Sequence, residues 1–478
     1  MTFDPTLRAR FTAFVADAAR RHGIPGASAG IRHGGHELFA SHGVTSLDPA
    51  DAPRPVDEHT PFAVGSITKT LTATALLRLA EQGAVHLNDP VTRHVPELRL
   101  ADPAAADRIT LRMLLNHTAG LDWNLVTDTG EGDDALAAFV AGLDELTLIG
   151  EPGARPSYSQ AGFNLLGRVI EKVTGRTYER AVQDLLLTPL GLDSTTFAPD
   201  PGRTSPGRPD PARDPAADRP PAVGHNTSPD GALEGVGDWR IGRADHPGGG
   251  ALASAADQLR WAAFHLGDGR APNGERLLTP ETLRAMRTPT ATLRASTLGD
   301  ALGLCWFLRE IDGVPTIGHG GSTNGQFAEL LLAPERGFAV TSAANAGPAG
   351  IVFNQEVVRW ALENVLGAVD RDPEPLPHDP ARAAEFAGVY EIDAMWLTIT
   401  ADEHGMALGA ALKAEVRAAS DTPMPPDHEP AAMGLLPGDE YVVTAGGLSG
   451  QRGFFTRDSS GRITGVDLAG RLFTRTDR

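Results

Sequence analysis

Apolar residues at Leu7, Phe11, Phe14, Val15 and Ala18 keep helical spacing, which predicts a helix over residues 7–22. Short apolar runs at 27–31 and 38–40 flank His33-Gly34-Gly35 and predict a hairpin. The far side of the chain mirrors this. Runs at 325–332 and 338–344, around Pro334-Glu335-Arg336-Gly337, predict two strands, and the spacing over 353–366 predicts a helix. A helix and a hairpin from each end imply one sheet, built from both ends and covered by both helices. The mostly helical middle is then an insertion.

Two stretches interrupt the pattern. Residues 199–236 are rich in Pro, Gly, Asp and Arg and predict a long loop, taken here to run on to residue 246. Prolines at 373, 375, 377 and 380 predict a linker over 372–380. Beyond it come short runs at 396–400, 407–411, 441–444, 453–457, 463–468 and 471–475, separated by turn residues such as Ser459-Ser460-Gly461. These predict an antiparallel barrel, with 380–386 as its only helix. The expected plan is α+β, with a larger unit over 1–371 and a barrel over 381–478.

Composition narrows the class. Of 478 residues, 41% are hydrophobic and 22% charged, enough for a globular core. The net charge of −19 speaks against a nucleic-acid footprint and a polybasic membrane anchor. The single cysteine, Cys305, excludes an intramolecular disulfide or a thiolate metal cluster. No signal-type run opens the chain and no 18-residue apolar stretch occurs, so a cytoplasmic, non-membrane protein is expected. Histidines are present, but none at metalloprotease spacing, and neither metal nor cofactor is expected. Only Lys69, Lys172 and Lys413 supply lysine.

Lys69 belongs to the segment with most chemistry, Val64-Gly65-Ser66-Ile67-Thr68-Lys69. Helical spacing follows it, so Ser66 sits at a first helical turn, where it can cap, and Lys69 lies one turn on along the same face. A serine hydroxyl attacks only when a base takes its proton. A lysine serves only if burial or nearby positive charge lowers its pKa. An ordinary cap followed by an ordinary helix lysine explains this segment equally well. Tyr158, after the turn-rich 152–157, can shuttle a proton or merely pack. In Ile317-Gly318-His319-Gly320-Gly321-Ser322, the glycines let a substrate backbone approach and His319 can donate to a developing oxyanion or a carboxylate. The N–H groups of Ser66 and Ser322 can form an oxyanion hole. A strand-end turn with a solvent-facing histidine is the plainer reading.

Taken together, Ser66-x-x-Lys69, Tyr158 and His319-Gly320-Gly321 resemble the serine β-lactamase and penicillin-binding-protein superfamily, class C branch. The segments 114–121 (LLNHTAGL) and 247–257 (PGGGALASAAD) resemble that branch as well, and 381–478 resembles the lipocalin-like domain some members carry. The resemblance implies a β-lactamase/transpeptidase-like fold, with Ser66 acylated, Lys69 as its base partner, Tyr158 as proton relay and His319 in place of the lactamase strand lysine. The family's Tyr-x-Asn is here Tyr158-x-Gln160, whose longer amide bears on the substrate carbonyl contact. Length and barrel are most like the stand-alone penicillin-binding-protein-type thioesterases, which close nonribosomal peptidyl thioesters ending in a D-residue or glycine. In that group, positions like Trp239 and Arg452 bind substrate. The expected partner is such a thioester, free or on a carrier protein. A D-stereospecific peptidase, amidase or esterase and a non-catalytic binding homologue are the other readings.

Overall fold

The computed structural model describes residues 3–122, 129–144, 146, 148–197, 219–228, 231–236, 241–419, 427–446 and 448–476. Its central sheet has eight strands: Gly26–His33 (β1), His36–Gly43 (β2), Ala291–Ser296 (β3), Gly299–Leu302 (β4), Phe307–Ile311 (β5), Val314–Thr323 (β6), Gln326–Ala333 (β7) and Phe338–Ala344 (β8). All neighbours are antiparallel, in the order β2-β1-β8-β7-β6-β5-β4-β3. The hairpins from the two ends therefore meet at β1 and β8, with Ala27 opposite Ala344. Every residue of β8 is buried, as expected of a strand covered on both faces.

Helices Pro5–Arg21 (α1) and Ala349–Ala361 cover one face, where Phe11 and Phe14 lie 5.1 and 5.5 Å from the Trp360 ring. The other face packs on the helical insertion. There Thr68–Glu81 (α2) is buried almost all round, which explains its threonines. Each hydroxyl is satisfied locally or by a neighbour: Thr70 donates to Ile67 O at 2.7 Å and Thr72 to Pro247 O at 2.6 Å.

The C-terminal part is a closed eight-stranded antiparallel barrel. Its interior is filled by Tyr390, Tyr441, Phe455 and Phe386, the last from the helix Pro380–Phe386. Two barrel strands, Gly388–Glu391 and His428–Leu436, and the helix Ala414–Ala419 were not expected from the sequence. Gly388 and Pro430 break the alternation that marks a strand. Of the long 199–246 stretch, the described part is not all loop, since His225–Thr227 pairs with Leu233–Gly235. Among the described residues no helix is long and apolar enough to cross a membrane.

Candidate active site

Backbone contact holds the turn that carries Ser66 against β6. Gly65–Ile67 form a single 3-10 turn leading into α2, with no side-chain cap at either start, so Ser66 is not a cap. A Cβ on Gly321 would lie 1.9 Å from the Val64 carbonyl oxygen, and one on Gly65 2.6 Å from the Ser322 nitrogen. Both positions need glycine. Gly321 thus makes room for the serine turn rather than for a substrate backbone, contrary to expectation. The same packing sets the Ser66 and Ser322 backbones side by side, the placement an oxyanion hole requires.

Lys69 is fully buried. Its Nζ donates to Gln160 Oε1 at 2.6 Å and to Gly248 O at 2.7 Å, and lies 3.3 Å from Ser66 Oγ. A neutral amine has two hydrogens; here two carbonyl oxygens take them, and the lone pair is left for the serine proton. Burial pulls this amine down to about 7. The charge of Arg471 pulls the same way, while Cys305 and Asp245 oppose it. Gln160 is occupied. Its Nε2 donates to Asn164 Oδ1 at 3.3 Å and Asp245 O at 3.2 Å, so both amide hydrogens are spent. The expected contact from Gln160 to a substrate carbonyl gives way to a role as the holder of Lys69.

Tyr158 lines the cavity with Ser66, and its ring lies 4.8 Å from Lys69 Nζ. Burial pushes the phenol well above its ordinary range, although the Ser66 hydroxyl and Arg471 hold it back. It therefore stays protonated and acts as a donor. His117, from the 114–121 segment, supports it: the Ser159 N–H donates to His117 Nδ1 at 3.1 Å, and the His117 and Tyr158 rings are 4.5 Å apart.

His319 lies within β6, 2% exposed, rather than at a solvent-facing turn. Its Nδ1 is 2.6 Å from Gly320 O, which can only accept, so Nδ1 carries the hydrogen. Burial, aided by Lys69, drops the imidazole to about 3. Nε2 is then an acceptor with no partner among the described residues, so His319 does not donate to an oxyanion or a carboxylate as expected.

One cavity of about 300 Å³ joins Ser66, Tyr158 and His319 to Arg452. Arg452 opens the barrel strand Arg452–Arg457 rather than lying in a loop, and its N–H donates to Thr297 Oγ1 at 2.6 Å. Among the described residues its guanidinium has no hydrogen bond or ion pair. Trp239 lies outside the described residues.

Arg471 was not foreseen. The barrel turn Ala469-Gly470 enters the site, where Gly470 O accepts from the Tyr158 N–H at 2.8 Å and the Arg471 guanidinium lies 4.8 Å over the Tyr158 ring. A base that must be neutral works above its own pKa. Acylation is therefore expected to rise with pH through about 7 and then level off. Arg471→Ala removes a cation and admits water, so that limb should move up by roughly one unit. A kcat/KM–pH profile with a small ester tests this; an unmoved or lowered limb would contradict it. Among the described residues no cluster of three or more His, Cys, Asp or Glu is set to hold a metal.

Residues 7–354 match the family described as Beta-lactamase. The chain is 32% identical to penicillin-binding protein 4 of Amycolatopsis lactamdurans over 384 residues, 78% of this chain and 95% of that one. It is similar to the crystal structure of SurE with D-Leu (TM-score 0.72, 26% identity, 99% of this chain and 100% of that one). A D-stereospecific amidohydrolase from Streptomyces sp. aligns over 75% of this chain and 98% of its own, with TM-score 0.55 and 28% identity.

Proposed function

Since the chain belongs to the beta-lactamase family of serine hydrolases, we propose that it is a thioesterase that loads a peptidyl thioester on Ser66 and releases it by head-to-tail closure. The observation that carries this reading is the uncommitted Arg452 guanidinium in the same cavity as Ser66. A small ester needs no cation at that point, whereas the last carbonyls of a peptide can accept from a planar fork.

Lys69 takes the Ser66 proton as Oγ attacks the thioester carbonyl. The Ser66 and Ser322 N–H groups receive the oxyanion, and Tyr158 hands a proton to the leaving thiolate and takes one back from the Lys69 ammonium. The chain's amine, in its neutral form, then attacks the acyl-serine; the C–Oγ bond breaks, and the proton the amine loses passes through Tyr158 to Oγ. His319 fits such a substrate. A neutral acceptor stands where lactamases place a lysine, and a thioester brings no carboxylate there to be gripped. The likeness to SurE, solved with D-Leu, spans the barrel as well and supports a C-terminal D-residue. The carrier protein of a nonribosomal peptide synthetase is a natural donor of the thioester.

Water in place of the amine gives a D-specific hydrolase, the second reading, favoured by the likeness to the D-stereospecific amidohydrolase. Product mass separates the two. Hexapeptidyl thioesters ending in a D-residue, an L-residue or glycine are incubated with enzyme and followed by LC-MS. Loss of the thiol without added water, from the D or glycine form only, is expected. Linear acid alone would establish the hydrolase instead.

A further inference from the structure

The cavity that holds Ser66 continues round an open strand edge. β5 pairs with β6 only as far as Phe307 opposite Gly318, so on that side residues 319–323 have no strand partner. His319 and Gly321 face the helical insertion with Ser66. Gly320 faces the opposite side together with its cross-strand partner Glu329, on the face covered by Ala349–Ala361. Ser66 and Glu329 nevertheless line the same cavity, with Arg309, Arg359, Asp370 and Asp372.

Among the described residues two arginines on that far side are paired with aspartates, while Arg452 and Glu329 are not paired. Arg309 grips Asp370 with two bonds of 3.1 and 2.6 Å, and Arg359 holds Asp372 at 2.5 Å. Among the described residues the Glu329 carboxyl has neither a hydrogen bond nor an ion pair. It lies over Gly320, where a Cβ would come within 2.7 Å of Oε2. Glu329 is half-buried in the cavity wall, where a carboxylate without a direct partner gains from a bound cation, and among the described residues neither Arg309 nor Arg452 makes a hydrogen bond or ion pair with it.

We infer that this end of the cavity is a subsite for a primary ammonium, with the Glu329 carboxylate as its anionic partner and the free α-amine of the acyl chain as its ligand. The inference rests on the peptidyl reading above. It gives the tail of the Ser66-bound chain a seat in the cavity where its head is attached, which raises the effective concentration of the amine for closure. Burial lifts Glu329 to about 7, with Arg309 pulling it back down. The seat is then charged only above that pH. The other charged groups facing it are the Arg309–Asp370 and Arg359–Asp372 pairs and Arg452.

The test needs no turnover of peptide. Linear hexapeptide acids with a D-terminus, one with a free and one with an acetylated N-terminus, compete against hydrolysis of a small ester. For the wild type at pH 8 the free-amine peptide should show a Ki at least tenfold lower. In Glu329→Gln that ratio should fall below two. General damage to the fold cancels, because the acetylated peptide is the reference in each enzyme. In the wild type the ratio should also shrink towards one by pH 6. An equal ratio in both enzymes, or no inhibition by the free-amine peptide at millimolar concentration, overturns the subsite. An acetylated peptide that carries a lysine and competes as well as the free amine keeps the subsite and reassigns its ligand to a side chain. If the ratio behaves as expected while thioesters give only linear acid, the ammonium seat stands and the cyclase reading falls.

Discussion

Ser66→Ala is expected to form no acyl-enzyme. After incubation with a fluorophosphonate or a peptidyl thioester, intact mass should show the bare variant where the wild type gains one acyl group. Turnover should fall by roughly a millionfold, the remainder being what binding and oxyanion donors supply without a nucleophile. Other hydroxyls line the cavity, those of Thr297, Thr316 and Ser322. Lys69 Nζ, however, makes its hydroxyl contact with Ser66, at 3.3 Å. An adduct of equal mass on the variant would place the nucleophile elsewhere, and absence of labelling in the wild type would favour a non-catalytic binding protein.

Lys69→Met should slow acylation by a hundredfold to ten-thousandfold, the range for a positioned base. Methionine keeps much of the volume, which limits collapse of a site 0% exposed. It strands the acceptors Gln160 Oε1 and Gly248 O, so some stability goes with it. Stability and catalysis separate in the pH profile, since a variant that only loosened the fold would keep the limb near 7. Pre-steady-state acylation by a chromogenic ester at pH 8 is the measurement. A loss under tenfold would give the base's role to another group.

The nucleophile, its lysine and the tyrosine were legible because two of them share a helix turn and the third sits at a helix start. Local spacing suffices for that. Half of the sheet was legible for a similar reason, since the apolar runs of β1, β2, β7 and β8 survive in sequence. What the sequence hid was the electrostatic state of each group. His319 reads as a polar residue among glycines; only Phe307, 4.9 Å away and brought by a neighbouring strand, makes its place apolar. Gln160 reads as a recognition residue until Gly248 and Asp245 arrive from eighty residues on. Arg471 is one of 39 arginines (42 basic residues less three lysines), and nothing near it in sequence announces the fold that carries it onto Tyr158. Glu329 carried no signal in the sequence, and its isolation depends on which arginines are already taken.

The turn at Gly470 and Arg471 has a thermodynamic corollary. If seating that turn makes a proton on Lys69 less favourable, a proton on Lys69 must loosen the seat by the same free energy. The seated-state pKa of Lys69 is lowered to about 7, so the penalty is absent above the higher pKa of the unseated state, grows as pH falls from there towards 7, and is complete below it. Each unit by which Arg471→Ala moves the limb is thus also ~1.4 kcal/mol of docking strength lost on protonation. Barrel and helical insertion then share one proton-linked equilibrium, in which acidification weakens the barrel's hold on the same serine that it disarms.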